Sequence, residues 1–401
     1  MENPFKSEPF ISIWAKHFGH EKDILSFSCF SDLRFLKTKF LPIYINAGST
    51  NTKGVDYTIV GGGLGNKVFL VYDVPDNDCI SPPTVTGLKI IKTQQYPGFL
   101  IDLTKFSGFD DFLVKQFSKK TRYKFKTNKK RLESCFSIQH KMHSNAIDKK
   151  EYDALFSCFK KLLLKRFDNK KISNNNLDSK EWEFYKELGY QLILKNEAGL
   201  FVTYNGKTPI ALSLLCFAGQ RAIDVIRVFD IDFAKFRLGS ISLNALVEWC
   251  FNHQMNHLDF SKGLFDYKER WSNQQYHFDY HIIYNPKKII SITLAAFVKN
   301  YFDLKQFLRK KEVNTYFHKL THKFRIGHLR SEKKTDFKLI YVDNAEKVDH
   351  LLPIDLDKGY DFLKKPIYDL LYNKQKPIGH AQVYRSPEQQ NHYYLRLDFH
   401  Q

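Results

Sequence analysis

One stretch of this sequence, residues 192–284, admits few architectures. LFVTY (200–204) and PIALSLLCF (209–217) are apolar runs flanking Asn205-Gly206, the pair that suits a type I′ hairpin turn because both central residues take positive φ. LILKN (192–196) reads as a strand piece leading in. Gly219-Gln220 turns the chain again into AIDVIRVF (222–229), a further strand. Beyond FDIDFAKFRLG comes SISLNALVEWCFNHQ, where Leu243, Leu246, Val247 and Cys250 recur at i, i+3, i+4 and i+7 and Ser240 stands in position to cap the helix. HLDF (257–260) is a short strand. In YHFDYHIIY (276–284), Tyr276, Phe278, Tyr280, Ile282 and Tyr284 fall at every second position, the period of a strand. Hairpin, strand, helix, strand and strand in that order predict an α/β (α+β) unit with a mixed sheet.

The rest of the 401 residues extends this reading. Short apolar runs in 1–105, FLPIYINAG (40–48), VDYTIVGGGLG (55–65), NKVFLVYDVPD (66–76) and GFLIDLT (98–104), predict strands of a second mixed unit. Helices are expected over GFDDFLVKQF (108–117), over KKTRYKFKTNKKR (119–131), with eight basic residues in thirteen, and over EYDALFSCFKKLLLKRF (151–167). The tail opens with basic helices, FVKNYFDLKQFLRKK and THKFRIGHLR, and ends in a small mixed piece with FKLIYVD (337–343) and NHYYLRLDF (391–399). Domains are therefore expected at 1–142, 143–286 and 287–401.

Composition narrows the function classes. Hydrophobic residues are 43% and aromatics 15%, which excludes general disorder, and there is no internal repeat. The 62 Lys and Arg against 43 acids leave +19, so an anionic partner is expected. No window approaches the roughly 20 apolar residues of a membrane span; Ile289–Val298 is half that length, so a span is not expected while peripheral membrane contact stays open. MENPFKSEPF lacks the apolar run of an export signal, and a cytoplasmic location is expected. Six dispersed cysteines with no C-x-x-C pair predict reduced thiols rather than a zinc or disulfide framework. His253/His257, His277/His281 and His318/His322 lack the glutamate of H-E-x-x-H, so no metal is expected; Gly61–Gly65 lacks the lysine of a phosphate loop and reads as a hairpin loop.

The chemistry concentrates at one turn. A strand that runs through Arg237-Leu238-Gly239-Ser240 into a helix offers free N–H groups where the helix dipole favours an anion. The ordered set Asn205-Gly206-Lys207, Pro209-Ile210-Ala211, Asp230/Asp232, Arg237-Leu238-Gly239, Asp259-Phe260-Ser261-Lys262-Gly263, Tyr267-Lys268 and Trp271, with Arg131-Leu132 closing the basic helix, resembles the GNAT acyltransferases of the cellulose-biosynthesis CelD-like group. It is more distantly similar to the Fem-type peptidoglycan aminoacyl transferases. The resemblance covers about residues 100–285. It implies tandem GNAT-like domains, with mixed central sheets flanked by helices and a C-terminal extension, and an acyl-coenzyme A such as acetyl-CoA as co-substrate. Its pyrophosphate is implied at Arg237, Leu238, Gly239 and Ser240, and its pantetheine along 222–229 at Val225, Arg227 and Phe229. The group usually has proline where this chain has Leu238.

Acyl transfer from a thioester to an amine needs a deprotonated nucleophile, a donor at the carbonyl oxygen and an acid for the thiolate. The candidates are Asp259 as base or substrate anchor, strand amides of 222–229 as the donor, and Tyr267 as the acid. Lys268 resembles the lysine that Fem-type relatives turn toward the acceptor. The expected activity is direct transfer, in a ternary complex without an acyl-enzyme, of an acetyl or other acyl group to an amine or hydroxyl of a sugar or cell-envelope precursor. The rival readings are a Fem-like aminoacyl transferase using charged tRNA, and a non-catalytic GNAT scaffold that binds RNA or anionic polymer through 119–131, whose interleaved Tyr123 and Phe125 suit nucleic acid.

Overall fold

The computed structural model describes residues 3–20, 23–49, 51–61, 64–76, 87–170, 177–310, 337–342, 350–389 and 391–397. Their strands are β1 (Ile24–Ser26), β2 (Arg34–Lys37), β3 (Ile43–Asn46), β4 (Val68–Pro75), β5 (Lys89–Asp102), β6 (Ile138–His143), β7 (Ala198–Asn205), β8 (Thr208–Ala218), β9 (Arg221–Phe229), β10 (His257–Lys262) and β11 (Gln274–Tyr284). These form one sheet in the order β1-β2-β3-β4-β11-β5-β10-β9-β8-β7-β6. The mixed α/β class read from the sequence holds, and both halves share this continuous sheet. Its centre is β5, which pairs antiparallel with β10 on one side and with β11 on the other.

Both faces of the sheet are covered, which is why its strands read as near-continuous apolar runs. Leu212, Leu214 and Cys216 of β8 face α4 (Lys149–Lys170) and α5 (Ser179–Leu194), with α1 (Glu8–Phe18) outside them. Leu215 and Phe217 face the opposite way, toward α2 (Phe109–Gln116) and α6 (Leu238–Asn252). The basic run is α3 (Lys119–Cys135), a helix whose lysines are exposed at 119, 120, 124, 126, 129 and 130 while Leu132 and Cys135 are buried. Phe125 stacks on Trp271 of the short helix α7 (Asp266–Trp271).

Four expectations are corrected, the first at the hairpin: Asn205 ends β7 opposite Thr208 without positive φ, so the two turn residues are Gly206 and Lys207 rather than Asn205 and Gly206. LILKN is not a strand: Leu192 and Ile193 end α5, where they bury one helical face with Trp182, Tyr185 and Leu188. VDYTIVGGGLG forms no strand over its described residues. Val55, Tyr57 and Ile59 do point inward at every second position, but they cover Phe30, Phe35 and Phe69, and a single bridge, Phe30 to Ile59, is the only ladder contact there. Helix α6 starts at Leu238 with Arg237 at the capping position, not Ser240, because Arg237 already takes the left-handed conformation at φ 62°. THKFRIGHLR, His318/His322 and Cys79 lie outside the described residues.

Past α8 (Ile289–Lys310), strands β12 (Lys338–Val342), β13 (Leu352–Pro353), β14 (Ala381–Arg385) and β15 (His392–Leu397) form a second sheet with α9 (Lys364–Lys374). This unit joins the main body through a shared core. Leu363, Ile367, Tyr368 and Leu371 pack with Phe233, Phe236 and Leu238 around the turn that precedes α6. Tyr368 meets Phe233 at 4.7 Å and Phe136 at 4.9 Å, and Lys235 Nζ donates to the carbonyl of Asp369 at 3.0 Å.

Candidate active site

The site begins where two parallel strands part. β9 and β10 pair for three positions, His257 with Arg221, Leu258 with Ala222 and Asp259 with Ile223, and then diverge. On its other edge β9 is held by β8, with a register shift that leaves Val225 as an extra residue between Asp224, opposite Leu215, and Ile226, opposite Leu214. A bulge of this kind reverses the facing of everything beyond it. Ile223, Ile226 and Val228 accordingly share the face under α4 and α5, and Val225 packs there too. Asp224 and Arg227 are thereby brought together, with Arg227 Nε 2.8 Å from Asp224 Oδ2.

Around this pair lies a buried polar cluster. Asp224 is 8% exposed, and its second oxygen, Oδ1, has no protein partner among the described residues. Burial raises its pKa, while the cations of Arg227 and Lys268 oppose the rise. Lys268 is 6% exposed; its Nζ donates to the carbonyls of Lys262 at 2.8 Å and Ser261 at 3.3 Å. Burial depresses this ammonium to about 8, against the pull of Asp224 and Asp259. Tyr267 lies below the guanidinium of Arg227, 5.9 Å from its ring centroid, and burial pushes its phenol upward. Its hydroxyl has no protein partner among the described residues.

Asp259 is placed differently. It is 1% exposed, Tyr276 donates its hydroxyl to both carboxylate oxygens at 2.9 Å, the Ser261 amide donates at 2.7 Å, and Arg221 stands 3.7 Å away. It anchors the end of β10, where Ser261 takes φ 57° and Gly263 φ 115°, and so sets the carbonyls that hold Lys268.

The second part is the start of α6. Lys165 of α4 bridges Asp230 and Asp232 and fixes the turn before it. Ser240 N is used by the Arg237 carbonyl at 2.9 Å, whereas the amides of Leu238 and Gly239 meet no acceptor among the described residues. Leu238 points into the core at 0% exposure; Arg237 is exposed, and Gly239 and Ser240 are half-buried at the mouth. Gly239 is required for close approach, since a Cβ there would lie 2.7 Å from the Phe229 ring. Over that same ring, 4.7 Å from its centroid, lies Arg166 of α4, a half-buried guanidinium that forms no ion pair among the described residues. Its own burial and the nearby cation of Arg227 lower its pKa.

The structure thus brings Tyr267, Lys268 and Arg227 together, sets Phe229, Gly239 and Ser240 beside them, and turns the Val225 side chain away. Sequence reading missed Asp224 and Arg166. The signal for Asp224 was present: Asp and Arg three apart inside the apolar run AIDVIRVF must pair or face a ligand. Arg166, among the lysines of a 22-residue helix, carried no such mark. The described residues contain no group of three or more His, Cys, Asp or Glu that could hold a metal.

Against this geometry, the family model described as "Acetyltransferase (GNAT) domain" matches residues 119–269, the segment from α3 to α7. No curated protein matches the sequence. Among solved structures, the chain is similar to a conserved protein of unknown function from Bacteroides thetaiotaomicron VPI-5482 (9% identity, 70% of this chain and 91% of that one, TM-score 0.44). It is similar also to FemX (11%, 62% and 83%, TM-score 0.43) and to L-PGS from Bacillus licheniformis (10%, 74% and 98%, TM-score 0.42). Residues 119–269 thus match the GNAT acetyltransferase domain model, and this match supports an enzyme of the acyltransferase class.

Proposed function

We propose that the enzyme transfers an acyl group from coenzyme A to an amine or hydroxyl of a sugar or cell-envelope precursor. The observation that carries this reading is the pair of unpartnered amides at Leu238 and Gly239 beside Arg166, which has no carboxylate partner among the described residues. A helix start and a free guanidinium converging on one mouth suit a diphosphate, whose charge matches both. The diverging edge of β9 leads from that mouth to Asp224, Tyr267 and Lys268, a length that suits an extended pantetheine arm.

In this reading, Lys268 in its neutral form takes the proton of the acceptor amine as the nitrogen attacks the thioester carbon. The amides at the Val225 bulge donate to the carbonyl oxygen while it carries negative charge. Tyr267 gives its proton to the departing sulfur as the carbon–sulfur bond breaks, and the free oxygen of Asp224 receives a hydrogen bond from the acceptor. One C–N bond replaces one C–S bond, the proton lost by nitrogen is held on Lys268, and no acyl-enzyme forms. Asp259 acts as a positioning residue through Ser261.

A second reading, transfer from charged tRNA, is favoured by the exposed lysines of α3 and by Tyr123, which is 70% exposed. Thermal denaturation separates the two. Acetyl-CoA or a longer acyl-CoA at a hundred times its Kd should stabilise the protein by about 2.7 kcal/mol. Absence of any shift with acyl-CoA, together with a shift produced by tRNA and abolished by K124E/K126E/K129E, would replace the first reading with the second.

A further inference from the structure

Helix α8 is apolar on two sides. Its inner face, Ser291, Ala295, Val298 and Phe302, is buried against β4, β5 and β11, with Phe302 stacked on Tyr280 at 3.8 Å. Its outer face has the same helical spacing: Ile290, Thr293, Phe297, Tyr301, Leu304 and Leu308 at steps of three and four, with Ile289, Ala296 and Asn300 alongside. No charged residue interrupts this outer face, and its large side chains are exposed: Ile289 81%, Phe297 62%, Leu304 57%, Tyr301 55% and Ile290 54%. A helix with two apolar faces ordinarily has both covered, and an exposed patch this continuous marks a contact surface.

The charge at its borders selects the occupant. Exposed Lys287 and Lys288 precede the helix, and exposed Lys305 flanks the face near its other end, while Arg309 is turned inward over the ring of Tyr96. The one acid of the helix, Asp303, is held by Lys299. Lys305 has its pKa lowered by burial and by the cations of Arg309 and Lys262. A second copy of the chain would bring the same cations against these and be repelled; an anionic surface would neutralise them. No helix of the described residues is long and apolar enough to cross a membrane. A helix with an uncharged apolar face and basic borders lies in the plane of a bilayer surface instead.

We infer that α8 seats this enzyme on an anionic phospholipid surface, its outer face entering the interface and its lysines meeting the headgroup phosphates. This does not depend on the identity of the acyl donor. The experiment is cosedimentation of the full chain with vesicles of phosphatidylcholine alone and of phosphatidylcholine mixed with phosphatidylglycerol, with sedimentation velocity of the lipid-free protein alongside. The expected result is binding to the mixed vesicles, weakened about tenfold or more in F297Q/L304Q, which removes apolar area and leaves the charge unchanged. Both positions are exposed, so the variant should keep the wild-type melting temperature.

Three results would overturn the inference. One is the absence of binding to mixed vesicles by the wild type. The second is binding unchanged in the double variant, which would reduce it to bulk charge. The third is a lipid-free dimer that F297Q/L304Q converts to monomer, which would make the cover a second copy. Acyl-CoA binding by F297Q/L304Q should be intact in every case, so failure at this surface is distinguishable from failure of the donor site.

Discussion

The sheet holds two parallel strand pairs, β3 with β4 and β9 with β10, and each keeps register for three positions. Beyond those positions the two pairs part ways. Past β3, the side chain of buried Asn46 accepts the Tyr72 amide at 2.8 Å and stitches the pair together. Gly48 is pressed against Phe10, where a Cβ would lie 2.3 Å from the ring, and the Thr52 hydroxyl donates to Asp73 at 2.6 Å. The described part of the crossover to β4 contains no helix. Past β9 the crossover is α6, and its first amides have no acceptor among the described residues; a buried carboxylate with one oxygen unpartnered among them stands in both forks, Asp73 in the first and Asp224 in the second. The same strand geometry is closed in one half by side chains and left open in the other, so parallel pairing alone does not make a site; the contents of the fork decide.

The contrast can be broken at either end. Lys268→Met should have the largest effect, lowering kcat by about 10²–10⁴ as expected for loss of a proton acceptor. In the proposed mechanism the neutral form of Lys268 is the active one, and burial lowers its pKa to about 8, so the wild-type rate should rise with pH and level off above about 8. The residual rate of the variant should lack that limb; an unchanged limb would assign the titration elsewhere. Tyr267→Phe should lower kcat about ten- to hundredfold with little change in donor KM, read from initial rates.

Gly239→Asp sets a carboxylate against both the helix start and the Phe229 ring. Donor KM should rise about tenfold or more, and an unchanged KM would remove the turn from the donor site. Arg166→Gln should raise donor KM less, about three- to tenfold, and reduce the salt dependence of donor binding. In the closed fork, Gly48→Ala should leave all kinetic constants alone yet destabilise the fold by about 2 kcal/mol or more, since it combines a left-handed backbone with overlap against Phe10. Gly48 sits at φ +75°, and denaturant titration would read the loss. A change in donor KM in that variant would show that the two forks are not independent.

These residues also mark how far the sequence could be read. The α6 face was legible because Leu243, Leu246, Val247 and Cys250 serve one core and so obey one period. A hairpin was legible here because turn chemistry is local, yet its turn falls one residue later than read: Asn205 ends β7 opposite Thr208, and Gly206, at φ 56°, opens the turn with Lys207. LILKN was misread because a short apolar run looks alike at the end of a helix and in a strand. The bulge at Val225 could not be read: period two assumes an unbroken ladder, and only the pairing of β8 with β9 shows where it slips. Gly239 is legible as a glycine in the turn where the resemblance implies the pyrophosphate, but its contact with Phe229, and through that ring with Arg166, depends on three elements distant in sequence.

The unit formed by β12–β15 and α9 stands behind that same turn. Phe233, Phe236 and Leu238 find much of their apolar cover in residues translated long after them. A nascent chain that has emerged only as far as β11 already carries Arg166, Asp224, Gly239, Tyr267 and Lys268, but lacks the wedge behind the turn that aims its amides. If that turn is the donor site proposed above, activity should switch on late in synthesis, and damage to the tail, from a nick to a destabilising change at Tyr368, should register first as a slackened hold on the donor.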